Sequence, residues 1–414
     1  MSTRKIPAAA IWALGATQII GYGTLYYSYS ILAPSVATEL QWSQAWVFGI
    51  LSVALLAAAF LAPTAGHWAD RFGAGRLMAP GSIAAAAALL ICALAPGRLG
   101  LAIGVLAMEL ASCFVLYSTA FVAIVQLGGA KAQRSITHLT LIAGFASTLF
   151  WPLTTYLHAY LNWREVLMVF AGMHLLVCLP LHAWLGKLGN KASPEQGSDP
   201  LNATLSAGAP PTAANNRSWL FWLMLAGFAV EGLVLSAILV HMVPLTAAVG
   251  LGTVGVFVAS LFGPSQVASR FINLLFGQGV SQTWLALGAT ASLAAGLVVL
   301  LLTAPSVPGA VAFVMLFGLG SGLMSIVGGT LPLELFGRTG YGAYVGWITA
   351  ARQLSAGLAP FGLTLLMGRL GVFPALWIVV AMGILGIVAF AGIVLVQVRS
   401  ARLLQLAPAK IGAI

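Results

Sequence analysis

The chain has 414 residues, of which 60% are hydrophobic and only 6% charged, with a formal net charge of +10; its mean hydropathy is +1.01. Soluble domains carry about 25% charged residues, so no soluble fold can bury this much apolar surface, and lipid must be the solvent. The basic residues are scattered through short loops and form no basic face, which excludes nucleic acid as a partner.

The opening residues, with Arg4 and Lys5, lead into an apolar run that continues to about Ala33. That is too long for the core of a cleaved signal peptide and reads as a retained first span. A membrane crossing needs about 20 apolar residues. Twelve runs qualify: Trp12–Ala33, Trp46–Ala65, Leu77–Ala95, Leu99–Leu127, Ile136–Leu157, Val166–Leu185, Trp219–Met242, Val254–Phe276, Trp284–Ala304, Ala310–Leu335, Tyr344–Met367 and Val372–Val398. In lipid the backbone must bond to itself, and runs this long do so as helices.

With the amino terminus inside, the loops on that side collect most of the Lys and Arg residues, and the outer side receives only Arg98, Arg164 and Arg369. Positive residues stay inside, so both termini are expected in the cytoplasm, in a cytoplasmic or inner membrane. Residues 187–217 turn polar, with Pro194, Gly197, Pro200, Pro210 and Pro211, and are expected to be a disordered cytoplasmic linker. It divides the chain into residues 1–186 and 218–414, each with six spans.

Between the second and third runs lies Gly66-His-Trp-Ala-Asp70-Arg71-Phe-Gly73-Ala-Gly-Arg76, a charged, glycine-bearing turn that cannot sit cheaply in hydrocarbon. The halves also echo one another at close to half the chain length: Ala69-Asp70-Arg71 against Ala268-Ser269-Arg270, and Trp151-Pro152 against Ala359-Pro360. Weak repeats of this kind mark duplicated transporter halves. The order Gly66, Asp70-Arg71, Gly73 and a following cation resembles the loop signature between helices two and three of the major facilitator superfamily. That signature usually ends in two cations, where only Arg76 stands here. Asn162-Trp163-Arg164 resembles a Trp-Arg turn of the same superfamily.

The resemblance implies an all-α membrane protein of twelve transmembrane helices in two pseudo-symmetric six-helix bundles around a cavity that opens alternately to either side. It further implies that Asp70 meets the start of span eleven and braces the halves. Gly66, Asp70, Arg71 and Gly73 are therefore expected to gate the cytoplasmic side, against the plainer reading of a solvated turn.

Ionisable residues inside a span are costly and are functional candidates by default. At 1.5 Å per residue, Glu109 lies about 15 Å into span four, Glu231 about 18 Å into span seven and Arg352 about 12 Å into span eleven. All three sit near the middle of a core about 30 Å thick. Glu109 and Glu231 are candidates for proton coupling, because a carboxylate out of water can load and release a proton; the other reading is a permanently neutral or ion-paired side chain. Arg352 either grips an anionic substrate or pairs with Glu109 or Glu231.

Arg270 is either a copy of the loop cation Arg71 or a cavity residue; Gln266, Arg270, Asn273 and Gly277 recur at helical spacing as one polar stripe. Tyr22, Tyr26, Tyr27, Tyr117, Trp151 and Trp347 could build an aromatic cage. Tyr22 and Tyr26 are four apart, on one helical face, and Tyr26 and Tyr117 are taken as substrate contacts. His138, His158, His174 and His182 show no metal spacing, and Cys92, Cys113 and Cys178 no paired spacing, so neither a metal nor a cofactor is expected.

A cation on span eight with another on span eleven resembles the oxalate/formate antiporters and monocarboxylate porters within the superfamily. There the two cations clamp carboxylates, a task that suits the planar guanidinium fork. This chain has Gln266 where an acidic residue is usual, and no Lys in span one. The expectation is a monomeric carrier of a small organic anion, by proton symport or exchange, with Arg352, Arg270, Tyr26, Tyr117 and Gln266 binding it. The alternatives are an efflux pump for a neutral or cationic drug-like or metalloid compound, and a membrane sensor that moves nothing. An enzyme is not expected, since no nucleophile–base pair stands out.

Overall fold

The structure, a computed structural model, describes residues 6–128, 132–190, 211–252, 254–277 and 279–406. Among them there is no strand. Among the described residues, ten helices are long and apolar enough to cross a membrane: α1 Ala8–Glu39, α2 Gln44–Phe72, α3 Ala74–Leu94, α4 Arg98–Gly128, α5 Ala132–Tyr160, α6 Trp163–Gly189, α7 Arg217–Met242, α9 Gln282–Thr303, α10 Val307–Phe336 and α12 Val372–Arg399. The remaining two spans are α8, made of Val254–Ser260 and Phe262–Phe276, and α11, Tyr341–Leu370. These two less apolar spans carry Arg270 and Arg352.

The helices follow the twelve expected runs, with longer ends. Asp70 and Arg71 correct the reading of a charged turn: they lie in the last turn of α2, which continues to Phe72. The turn itself is Gly73, whose φ of +90° is open to glycine and strained for other residues. Helix also covers 187–190 and 211–217 at the edges of the expected linker. Its central part, 191–210, lies outside the described residues, and the expected disorder with it.

The first six spans pack on one another and the last six do the same. Across the divide α2 lies along α11, while α5 meets α8 and α10. The α2 seam is written in small residues: Ala58, Ala62, Ala65 and Ala69 are all buried and cluster with Ala350, Tyr341 and Val345 of α11. Close helix approach in lipid depends on such residues, because water does not drive apolar helices together there. Gly66 and Gly342 oppose each other so closely that a Cβ on either would strike the other's carbonyl oxygen. At the opposite end of the bundle from Asp70, Arg164 pairs with Glu39 at 2.9 Å and donates to the carbonyls of Ala93 and Ala95 at 2.8 and 2.7 Å. The Trp-Arg turn thus ties together the ends of α1, α3 and α6.

Several spans depart from the regular helix, among them α5 at Gly144–Phe145 and α8 at Leu261. Gly23–Tyr27 in α1 and His174–Cys178 in α6 are π-helical turns. They face each other: Thr24 Oγ1 and His174 Nε2 share a 2.8 Å hydrogen bond. Helix α4 is interrupted at Leu116, which is extended at φ −89° and ψ −168°.

Candidate functional site

The two halves are tied together where α2 ends. The Asp70 carboxylate accepts from the amides of Gly342 at 2.8 Å and Ala343 at 3.0 Å, the first turn of α11. An anion at a helix amino terminus satisfies orphan amides and meets the positive end of the helix dipole. On α4, Gln126 splints the corner, accepting from the Ala74 amide at 3.0 Å and donating to the Ala69 carbonyl at 2.9 Å. Arg338, between α10 and α11, donates to the Val125 carbonyl across the halves. Arg71 is exposed above the Phe72 ring, 5.3 Å from its centroid, so the tie to the second half runs through Asp70.

Deep between the halves, Arg352 on α11 meets Glu231 on α7, with Nε 3.2 Å from one carboxylate oxygen and Nη2 3.4 Å from the other. Gly232 lets the Arg352 backbone pack directly onto α7. The ion pair is lopsided: the Glu231 side chain is sealed, while that of Arg352 stays 30% exposed. Of the two readings of Arg352, the structure makes the pairing with Glu231, and it leaves part of the guanidinium open.

Arg270 is 6% exposed. Its Nε donates to Ser325 Oγ at 3.0 Å and its Nη1 to the Thr140 carbonyl at 3.2 Å, on the other half. Among the described residues no carboxylate lies within ion-pair distance of it. Gln266, one turn earlier, donates to Ser321 Oγ at 2.7 Å, so the polar stripe of α8 is turned toward α10.

Facing the two arginines from the first half is a cluster of tyrosines. Tyr22 and Tyr117 have ring centroids 4.7 Å apart, Tyr27 lies 6.4 Å from Tyr22 and 5.9 Å from Trp151. Tyr22 is within electrostatic reach of Arg352, and Tyr27 and Tyr117 of Arg270. Tyr26 is 44% exposed, so the tyrosine cluster borders open space. Here the helical-face argument needs correction: the π turn over Gly23–Tyr27 brings Tyr27, five residues on, rather than Tyr26, beside Tyr22. Tyr26 instead packs edge-on against Tyr27 at 5.4 Å. Tyr22 and Tyr27 therefore join the site with the two chosen tyrosines.

Glu109 is 4% exposed and within electrostatic reach of Tyr26 and Tyr29. It has no cation partner among the described residues. The site thus separates its acids: Glu231 belongs to Arg352 and Glu109 stands alone in the first half. Among the described residues no three His, Cys, Asp or Glu side chains are grouped to hold a metal.

A helical bundle with a polar hollow between two halves defines a multi-pass membrane protein of the carrier type. Residues 14–360 match the profile of the Major Facilitator Superfamily, and the chain belongs to that family of membrane transporters. Its fold is similar to the crystal structure of the human organic anion transporter MFSD10 (TETRAN). That match has a TM-score of 0.71 and 12% identity, covering 94% of this chain and 100% of that one. It is also similar to the proton:xylose symporter XylE bound to 6-bromo-6-deoxy-D-glucose, with a TM-score of 0.66 and 13% identity, covering 92% of this chain and 95% of that one. No curated protein sequence shows significant similarity to it.

Proposed function

We propose that the chain is a secondary active transporter of a small organic anion, a carboxylate, working by proton symport or by exchange. The observation that carries this reading is Arg270: a buried guanidinium bonded, among the described residues, to neutral oxygens and to no carboxylate, with a second, partly open guanidinium on Arg352. Burying a charge without a counter-charge is costly, and an anionic substrate supplies one. Arg352 and Arg270 bind the carboxylate, Tyr26 and Tyr117 line its path, and Gln266 holds α8 against α10. Glu109, with no cation of its own, carries the coupled proton. Glu231 is the resident counter-ion that the substrate competes with for Arg352. The oxalate/formate and monocarboxylate branch supplies the nearest analogy, on spans eight and eleven.

The charge bias of the loops supports a cytoplasmic-membrane location with both termini inside. The gate of Gly66, Asp70, Arg71 and Gly73 then closes the cytoplasmic side. Purified protein in liposomes should take up labelled carboxylates with a rate that depends on the pH gradient, and Arg352→Ala should abolish it. Carboxylate uptake unchanged in that variant, or resistance to a cationic drug without carboxylate flux, would overturn the reading.

A further inference from the structure

At the end of the bundle opposite Asp70, a cavity of about 430 Å³ opens between the end of α1 and the turn from α5 to α6. Its size falls within the roughly 300–1,000 Å³ of small-molecule sites, and it far exceeds what a bare metal ion needs. Ser35, Thr38 and Glu39 line it from α1, and His158, Asn162 and Trp163 from the other side. None of the arginines and tyrosines of the central hollow takes part in it.

Following each hydrogen shows what this cavity offers. The Leu161 carbonyl can only accept, so His158 Nδ1, 3.1 Å from it, carries the ring hydrogen. In the neutral ring Nε2 is then an acceptor, and Ser35 gives it the hydroxyl hydrogen at 2.6 Å. Thr38 gives its own to the Pro34 carbonyl at 3.0 Å. The Glu39 carboxylate accepts from Trp163 Nε1 on one oxygen and from Arg164 Nε, at 2.9 Å, on the other. A carboxylate has about four acceptor sites, and this side chain is 46% exposed. Ser35, Thr38 and Glu39 therefore present lone pairs and no hydrogen. Such a set repels anions and calls for a cation that donates hydrogen bonds. Tyr156 and Tyr160, two exposed residues of α5 with ring centroids 5.2 Å apart, flank His158 in the chain, and tyrosines of this kind sit at the level of lipid headgroups.

We propose that this cavity is a second binding site, separate from the transport path, for a primary ammonium group, either of a free amine or of an ethanolamine phospholipid headgroup: its N–H bonds go to Ser35 Oγ, Thr38 Oγ1 and the Glu39 carboxylate. The site stands independently of the carboxylate reading above. Purified protein in phosphatidylcholine nanodiscs, titrated with ethanolamine, should show a saturable rise in its thermal midpoint. Choline, whose quaternary nitrogen has no N–H, should need at least about tenfold more for the same rise. Ser35→Ala and Thr38→Val should each raise the half-saturating ethanolamine concentration at least about tenfold. Each variant is read against its own unliganded midpoint, so a change in basal stability does not enter. Adding phosphatidylethanolamine to the nanodiscs separates the two sources. A raised midpoint that free ethanolamine no longer increases assigns the headgroup; an unchanged midpoint with the ethanolamine response intact assigns a soluble amine. No response to ethanolamine in either form, an equal response to choline, or variants that titrate like the wild type would overturn the proposal.

Discussion

Arg352 holds Glu231 with two nitrogens, yet only the carboxylate is sealed from solvent. The pair is therefore a joint with one free side. Anything that enters the hollow meets the arginine and not the acid.

Removing the acid alone should be expensive. Stripping one partner from a buried pair costs about 3–5 kcal/mol; the partial exposure of Arg352 screens the charge and brings Glu231→Gln to the bottom of that range or just below it, about 2–3 kcal/mol. The double variant Glu231→Gln with Arg352→Gln should recover part of the loss, since no charge is left alone. Thermal unfolding of the four proteins in detergent checks this; equal melting of the single and double variants would contradict it.

The proposed gate should loosen when its carboxylate goes. Capping side chains contribute roughly 0.5–2 kcal/mol, so Asp70→Ala should shift the balance between closed and open forms of that face by a factor of about 2 to 30. Spin labels on Arg76 and Arg399 would report the opening as a longer distance component.

A side chain added at the glycine contact should act in the same direction through sterics. Gly66→Ala places its methyl against the Gly342 carbonyl, and overpacking of this kind costs typically about 1–3 kcal/mol. The same pair of labels should show the longer component without any change in charge. A distance distribution identical to that of the wild type would mean the seam yields elsewhere.

The bond between the two π turns can be removed without changing volume. Thr24→Val leaves a buried imidazole whose Nδ1 already lacks a partner with none at Nε2 either. A loss of about 1–3 kcal/mol in unfolding free energy is expected, read from the thermal midpoint.

Much of this architecture was legible in the residues. Long apolar runs and the placement of Lys and Arg gave the spans, because lipid imposes both. Glu109, Glu231, Arg270 and Arg352 stood out because a charge in an apolar run needs a reason. What escaped was every departure from the regular helix. Leu116 is an apolar residue in an apolar run, and nothing in its side chain announces a break. The π turn of α1 was equally silent, and a uniform helical wheel placed Tyr26 where Tyr27 belongs. Which acid Arg352 would meet also lay beyond reading, since Glu109 and Glu231 are at similar depth and only helix packing chooses between them. His174 and His182 drew attention only for lacking metal spacing. Their hydroxyl partners, Thr24 and Ser82, are distant in the chain.

The alanine and glycine facing of α2 against α11 has a mechanical meaning. Two smooth backbones pressed together in hydrocarbon gain little cohesion from solvent, so the seam itself holds weakly. The polar ties between the halves are a few discrete latches: the aspartate on Gly342 and Ala343 at this seam, and, at other contacts, Arg338 on Val125 and Arg270 on Thr140. A joint fastened by a handful of catches can be released one catch at a time, and a substrate that draws Arg270 away from its carbonyl would have undone the first.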